Sequence, residues 1–117
     1  MAKETITAAI GGHTFDLRNI QVFEEQFEDM VAFHADIYVD GIASGEVSNN
    51  GQCFPGTVIH VSENLEAYKE VEGLVNKRPQ YIAGHNGRGY VRSYTIESLL
   101  EAMMTAAYFE DRAVFLF

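Results

Sequence analysis

Two stretches of this chain gather reactive or charged side chains closely enough to bind or catalyse, and they carry opposite charge. The first is Gly84-His85-Asn86-Gly87-Arg88-Gly89-Tyr90, with Arg92 just beyond it. Three glycines leave backbone N–H groups open to a ligand, and His85, Arg88 and Arg92 add cations, the combination that cradles a phosphate. The stretch lacks the GxxxxGK[ST] pattern and the strand–GxGxxG–helix context of a dinucleotide site. It reads as an anion- or nucleotide-binding candidate, or else as a hairpin loop whose arginines pair with acidic groups of the body or of a second copy. The second stretch holds Glu24, Glu25, Glu28 and Asp29. Asp36, Asp40 and Glu46 join it if the neighbouring strands pair, while Glu63, Glu66, Glu70 and Glu72 follow along a helix. Carboxylates on a rigid surface can imitate nucleic-acid phosphates and occupy a partner's basic groove. On most acidic proteins they are a solvated face.

The remaining chemistry-bearing residues are sparse. His13, His34, His60 and His85 form no HxH or HxxxH pair. His34-Ala35-Asp36 and His60-x-x-Glu63 offer two ligands each where a zinc site needs three or four. Cys53 precedes His60 by seven residues, a spacing compatible with a thiol–imidazole pair, but nothing nearby supplies the positive environment that activates a thiolate. A lone cysteine is more often a small buried hydrophobe. The expectation is therefore no catalytic residues, no metal and no cofactor.

The elements that must position these residues are legible from hydrophobic period and turn chemistry. Residues 5–10 and 14–20 alternate around Gly11-Gly12 and predict a hairpin. Residues 31–39 put Phe33, Ala35, Ile37 and Val39 on one face and His34, Asp36 and Tyr38 on the other; Asp40-Gly41 then turns the chain into a partner strand, Ile42 to Ser48. Between the hairpins, Phe23 and Phe27 suit a short helical turn or wide loop. A short strand is expected at Thr57–Val61 and a helix over about 63–76 with Ser62 as its cap, Leu65, Tyr68, Val71, Leu74 and Val75 forming the apolar stripe. Residues 80–94 fit no single regular element. Thr95 is placed to cap a second helix with Ile96, Leu99, Leu100, Met103, Ala107 and Tyr108 on its core side, and the closing AVFLF suits a last strand or a terminal segment laid against the core. The prediction is one α+β domain over 1–117, an antiparallel sheet of about four to six strands with two amphipathic helices packed on one face.

Composition limits the function. The 117 residues include 17 acidic and 8 basic ones, for a net charge of −9, which disfavours direct nucleic-acid binding. The charge is uneven: residues 73–96 hold four basic residues and no acid, leaving −13 on the rest. The first residues lack the apolar run of a signal peptide, no window is long enough to span a bilayer, and a single cysteine fits a reducing compartment. The expectation is a cytoplasmic protein with no membrane partner.

Residues Phe33 to Gln52, with Tyr38-Val39-Asp40-Gly41, then Gly45 and Ser48-Asn49-Asn50-Gly51, resemble a pattern in small phage and mobile-element proteins. In that pattern a strand ending YxDG or YxNG is followed by a glycine and then SNxGxGG. Gln52-Cys53 stand where the pattern has glycines. The resemblance implies a phage-like origin and an intracellular location, here the host cytoplasm; it assigns no reaction and no site residues. Together with the acidic body it predicts a non-enzymatic counter-defence, anti-CRISPR-like inhibitor. The partner would be a host nuclease or effector with a basic surface, met through Glu24, Glu25, Glu28 and Asp29. The alternative is a small-molecule binder sequestering a nucleotide signal through His85, Arg88 and Arg92, with a homo-oligomer as a further option.

Overall fold

The first two hairpins form where glycine turn chemistry places them. A computed structural model describes residues 5–26, 31–52, 55–83, 89–93, 95–109 and 114–116. Strands β1 (Thr5–Ile10) and β2 (His13–Val22) pair antiparallel across Gly11-Gly12, with Ile10 opposite His13. Strands β3 (Phe33–Val39) and β4 (Ile42–Asn49) pair across Asp40 and Gly41, whose φ angles of 53° and 80° are those of a two-residue primed turn. Asp40 also accepts a hydrogen bond from the Thr14 amide at 2.9 Å, so this turn is pinned to β2.

Strand β5 (Thr57–Val61) adds to β4, and β8 (Val114–Leu116) runs parallel to β1, giving the order β5-β4-β3-β2-β1-β8. The five strands from β5 to β1 pair antiparallel throughout. The stretch that fits no single element is itself a hairpin, β6 (Pro79–Ala83) with β7 (Gly89–Ser93), forming its own two-stranded sheet.

Helices α1 (Leu65–Asn76) and α2 (Ile96–Phe109) both contact the sheet. Their buried residues, Tyr68, Val71 and Val75 on α1 and Ile96, Leu99, Leu100, Met103, Met104 and Ala107 on α2, join one core with Ile6, Phe15, Leu17, Phe33, Ile37 and Val39. Thr95 caps α2, its Oγ1 accepting from the Ser98 amide at 3.1 Å. The start of α1 differs from expectation. Asn64, not Ser62, is the cap residue, in a left-handed conformation (φ 54°) with no side-chain cap bond. Its amide instead donates to the Val39 carbonyl, while the Ser62 and Glu63 N–H groups both donate to the Ser44 carbonyl. Tertiary anchoring to the β3–β4 hairpin outweighs the local capping preference, and Leu65 is consequently left half exposed.

One polar tie links the two hairpin turns to α1. His13 Nδ1 lies 2.8 Å from Asp40 and Nε2 3.1 Å from Glu70. A ring that donates from both nitrogens is an imidazolium. The hydrogen bond to Asp40 is the main reason the His13 pKa sits above its ordinary 6.5, and the bond from His13 the main reason Asp40 sits below 3.8. The His13 contribution to stability is thus complete below about 6.5 and fades as pH rises through the higher folded value. That of Asp40 is complete above about 3.8 and fades as pH falls through its lower folded value. The tie is partly exposed, so its effect is small. The difference in thermal midpoint between wild type and His13→Gln should shrink as pH rises from about 6 to 8; a constant difference would contradict the doubly bonded imidazolium.

Candidate functional face

Among the described residues both helices pack on one face of the sheet, so each strand carries its alternate residues on the face away from them. Register then decides which of these become neighbours. Arg18 on β2 lies opposite Asp36 on β3, Asp36 opposite Glu46 on β4, and Glu46 opposite His60 on β5. A straight row of four ionisable residues therefore crosses four strands at the strand spacing of about 4.8 Å. Beside it, Asp16 pairs with Tyr38 in register, and His34 with Ser48.

The contacts within this row leave its centre negative. Arg18 does not bridge to Asp36. It donates to Asp16 from Nε at 3.2 Å and Nη2 at 2.8 Å, and its guanidinium stacks 4.2 Å over the Tyr38 ring. Asp16, buried, is further held by the Thr7 hydroxyl at 2.8 Å. Among the described residues Asp36 receives only the neutral Asn19 side-chain amide, at 2.7 Å. That donor is delivered by an irregularity: the β2–β3 register shifts between Arg18 and Gln21, and Asn19 sits there at φ 55°. Bulges of this kind re-aim side chains next to functional sites. Glu46 has His34 Nε2 at 3.3 Å. Two carboxylates directly opposite one another cost a few tenths to about 1 kcal/mol, and among the described residues neither is ion-paired with a lysine or arginine.

Where β5 leaves the sheet, the same face deepens into an open groove of about 430 Å³ lined by Asp36, Tyr38, Glu46, His60, Ser62 and Glu63. Its floor depends on Gly45, whose α-carbon lies so close to β5 that an added Cβ would stand 2.1 Å from the His60 carbonyl oxygen. Among the described residues no three His, Cys, Asp or Glu converge as a metal would require, and His60 has no hydrogen-bond partner to orient it as a general base. The arrangement can attract and hold cationic groups.

The expected site residues are placed as follows. Glu24 and Glu25 lie exposed on a 3₁₀ turn (Glu24–Gln26) directly after β2. Glu24 accepts a hydrogen bond from the Tyr108 hydroxyl on α2, which ties it toward the helix layer and raises the Tyr108 pKa. Glu28 and Asp29 lie outside the described residues, as do His85, Arg88 and Cys53. Arg92 stands on β7 opposite Gln80. The groove residues Glu46, His60 and Glu63 were each visible in sequence, but their juxtaposition follows only from strand register. No helix among the described residues is long and apolar enough to cross a membrane. The chain matches no protein-family model, no curated protein and no solved structure.

Proposed function

We propose that this protein acts by binding rather than by catalysis, and that its open sheet face, centred on Asp36, Glu46 and Glu63, occupies a basic surface of another protein. One observation carries the reading. A like-charged pair stands on the sheet face that the described helices do not cover, while the guanidinium in register with it is turned to Asp16. A merely solubilising surface gains nothing from that placement, whereas a surface meeting lysines and arginines is relieved of its repulsion on binding. The phage-like segment runs through β3 and β4, the two strands that bear the pair. With the chain's acidity it points to a counter-defence inhibitor whose target is a host nuclease or CRISPR effector with a nucleic-acid groove. Carboxylates would there stand in for phosphates.

The test is capture from a host lysate fraction that binds heparin, at low and high salt, with double-stranded DNA as competitor. A target retained at low salt, released at high salt and displaced by DNA supports the reading. No retained protein, or retention insensitive to both salt and DNA, counts against it. The second reading, sequestration of a nucleotide through His85, Arg88 and Arg92, predicts instead thermal stabilisation by a phosphate ligand.

A further inference from the structure

The two ends of the main sheet are treated differently. At one end β8 covers β1; at the other, among the described residues, β5 pairs only with β4 and its outer edge makes no main-chain hydrogen bond. Edge strands normally guard against pairing with charged residues, proline, bulges or very short length. β5 has none of the first three. Thr57-Val58-Ile59-His60-Val61 contains no Asp, Glu, Lys, Arg or Pro, and its register with β4 is unbroken over all five residues. Four of the five are β-branched, and Val58 is 49% exposed. In a chain of net charge −9, apposing two copies costs least along an uncharged edge.

We propose that β5 pairs antiparallel with β5 of a second copy about a two-fold axis at Ile59, making a symmetric dimer with one continuous sheet. An antiparallel strand is its own complement, so the interface is isologous. The register sets Thr57 opposite Val61 of the second copy and Val58 opposite His60 of the second copy, burying the exposed valine against an imidazole. An axis normal to the sheet keeps both helix layers on one side and joins the two polar faces into one. The Glu46 residues of the two copies, each one strand in from β5, stay three strand spacings apart, about 14 Å, beyond the Debye length of about 8 Å at physiological salt. The proposal stands independently of what the polar face binds.

The register gives a charge-swap test by sedimentation at high micromolar concentration, with circular dichroism confirming that each variant folds. Wild type is expected at twice the 13.1 kDa chain mass. V58K/H60K places lysine opposite lysine at both symmetry-related pairs and should sediment as a monomer. V58K/H60E places lysine opposite glutamate at the same pairs and should restore the dimer. A monomeric wild type overturns the proposal, and so does a dimer that survives in V58K/H60K or is not restored in V58K/H60E. A folded variant is required at each step; should V58K/H60K fail to fold, V58K alone, at an exposed position, decides between loss and retention of the dimer.

Discussion

Neutralising the open face by Asp36→Asn, Glu46→Gln and Glu63→Gln together is expected to stabilise the fold while removing partner capture. The two effects have one cause. Asp36 and Glu46 stand opposite each other, and among the described residues their hydrogen-bond partners are an amide and a histidine, so replacing them relieves repulsion worth a few tenths to about 1 kcal/mol. For a domain of this size that raises the thermal midpoint by about 2–4 °C. Hydrogen bonding is largely kept, because the Asn and Gln carbonyls can accept from Asn19 and His34 as the carboxylates did. Partner binding loses its attraction and its steering together, and steering alone changes association rates by about 10-fold or more. Capture at low salt should fall at least about 10-fold. The combination matters: stability bought at the expense of function marks a site, whereas a variant more stable and equally well captured would mean that the face is only solvated. A control triple, Glu66→Gln, Glu70→Gln and Glu72→Gln on α1, removes as much charge from another surface and should leave capture nearly intact.

Gly45→Ala is expected to destabilise the protein at the upper end of the range for overpacking, about 3 kcal/mol. The added methyl would lie 2.1 Å from the His60 carbonyl oxygen and 2.8 Å from the Val61 α-carbon. Both are backbone atoms, so no rotamer change relieves the clash and β5 itself must move. β5 has one sheet neighbour among the described residues, so its displacement opens the groove that His60 and Glu63 line. A fall of about 10 °C or more in thermal midpoint follows from the lost stability. Gly73→Ala provides the contrast. That glycine lies inside α1 with open space around it, and alanine there should stabilise by up to about 1 kcal/mol. Opposite signs for two Gly→Ala changes would confirm the close approach of β4 to β5; equal midpoints for Gly45→Ala and wild type would refute it.

Local signals made the scaffold legible and long-range pairing made the site. The two-residue turns at Gly11-Gly12 and Asp40-Gly41, the alternation through β3, and the stripe of α2 each rest on neighbours in sequence, and the structure has all of them. Ser62 does not cap α1 because the start of that helix is decided by Val39 and Ser44, far away in the chain. The apolar period of α2 places Tyr108 on its core side, yet Tyr108 is only half buried, with its hydroxyl on Glu24. Helical period can place an aromatic ring on a stripe but cannot see what its polar end will meet. The same holds for the candidate face. The acids of residues 24–29 drew attention because they are contiguous, while Asp36, Glu46 and His60 are spread over 25 residues and meet only through register. The polar chain Asn49–Thr57–Glu101 beneath the sheet, with bonds of 3.0 and 2.9 Å, joins three elements and had no sequence signature at all.

A partner is expected to dock on the sheet face away from the helices rather than on the acidic helix or the glycine-arginine loop. Backbone amide chemical-shift mapping during titration with a short oligo-arginine peptide tests it most directly, with inorganic phosphate titrated in parallel. Peptide shifts are expected to cluster at Asn19, His34, Asp36, Glu46, His60 and Glu63, with Glu66, Glu70 and Glu72 nearly silent and phosphate without effect. Shifts centred on α1, or phosphate shifts confined to residues 84–92, would contradict it.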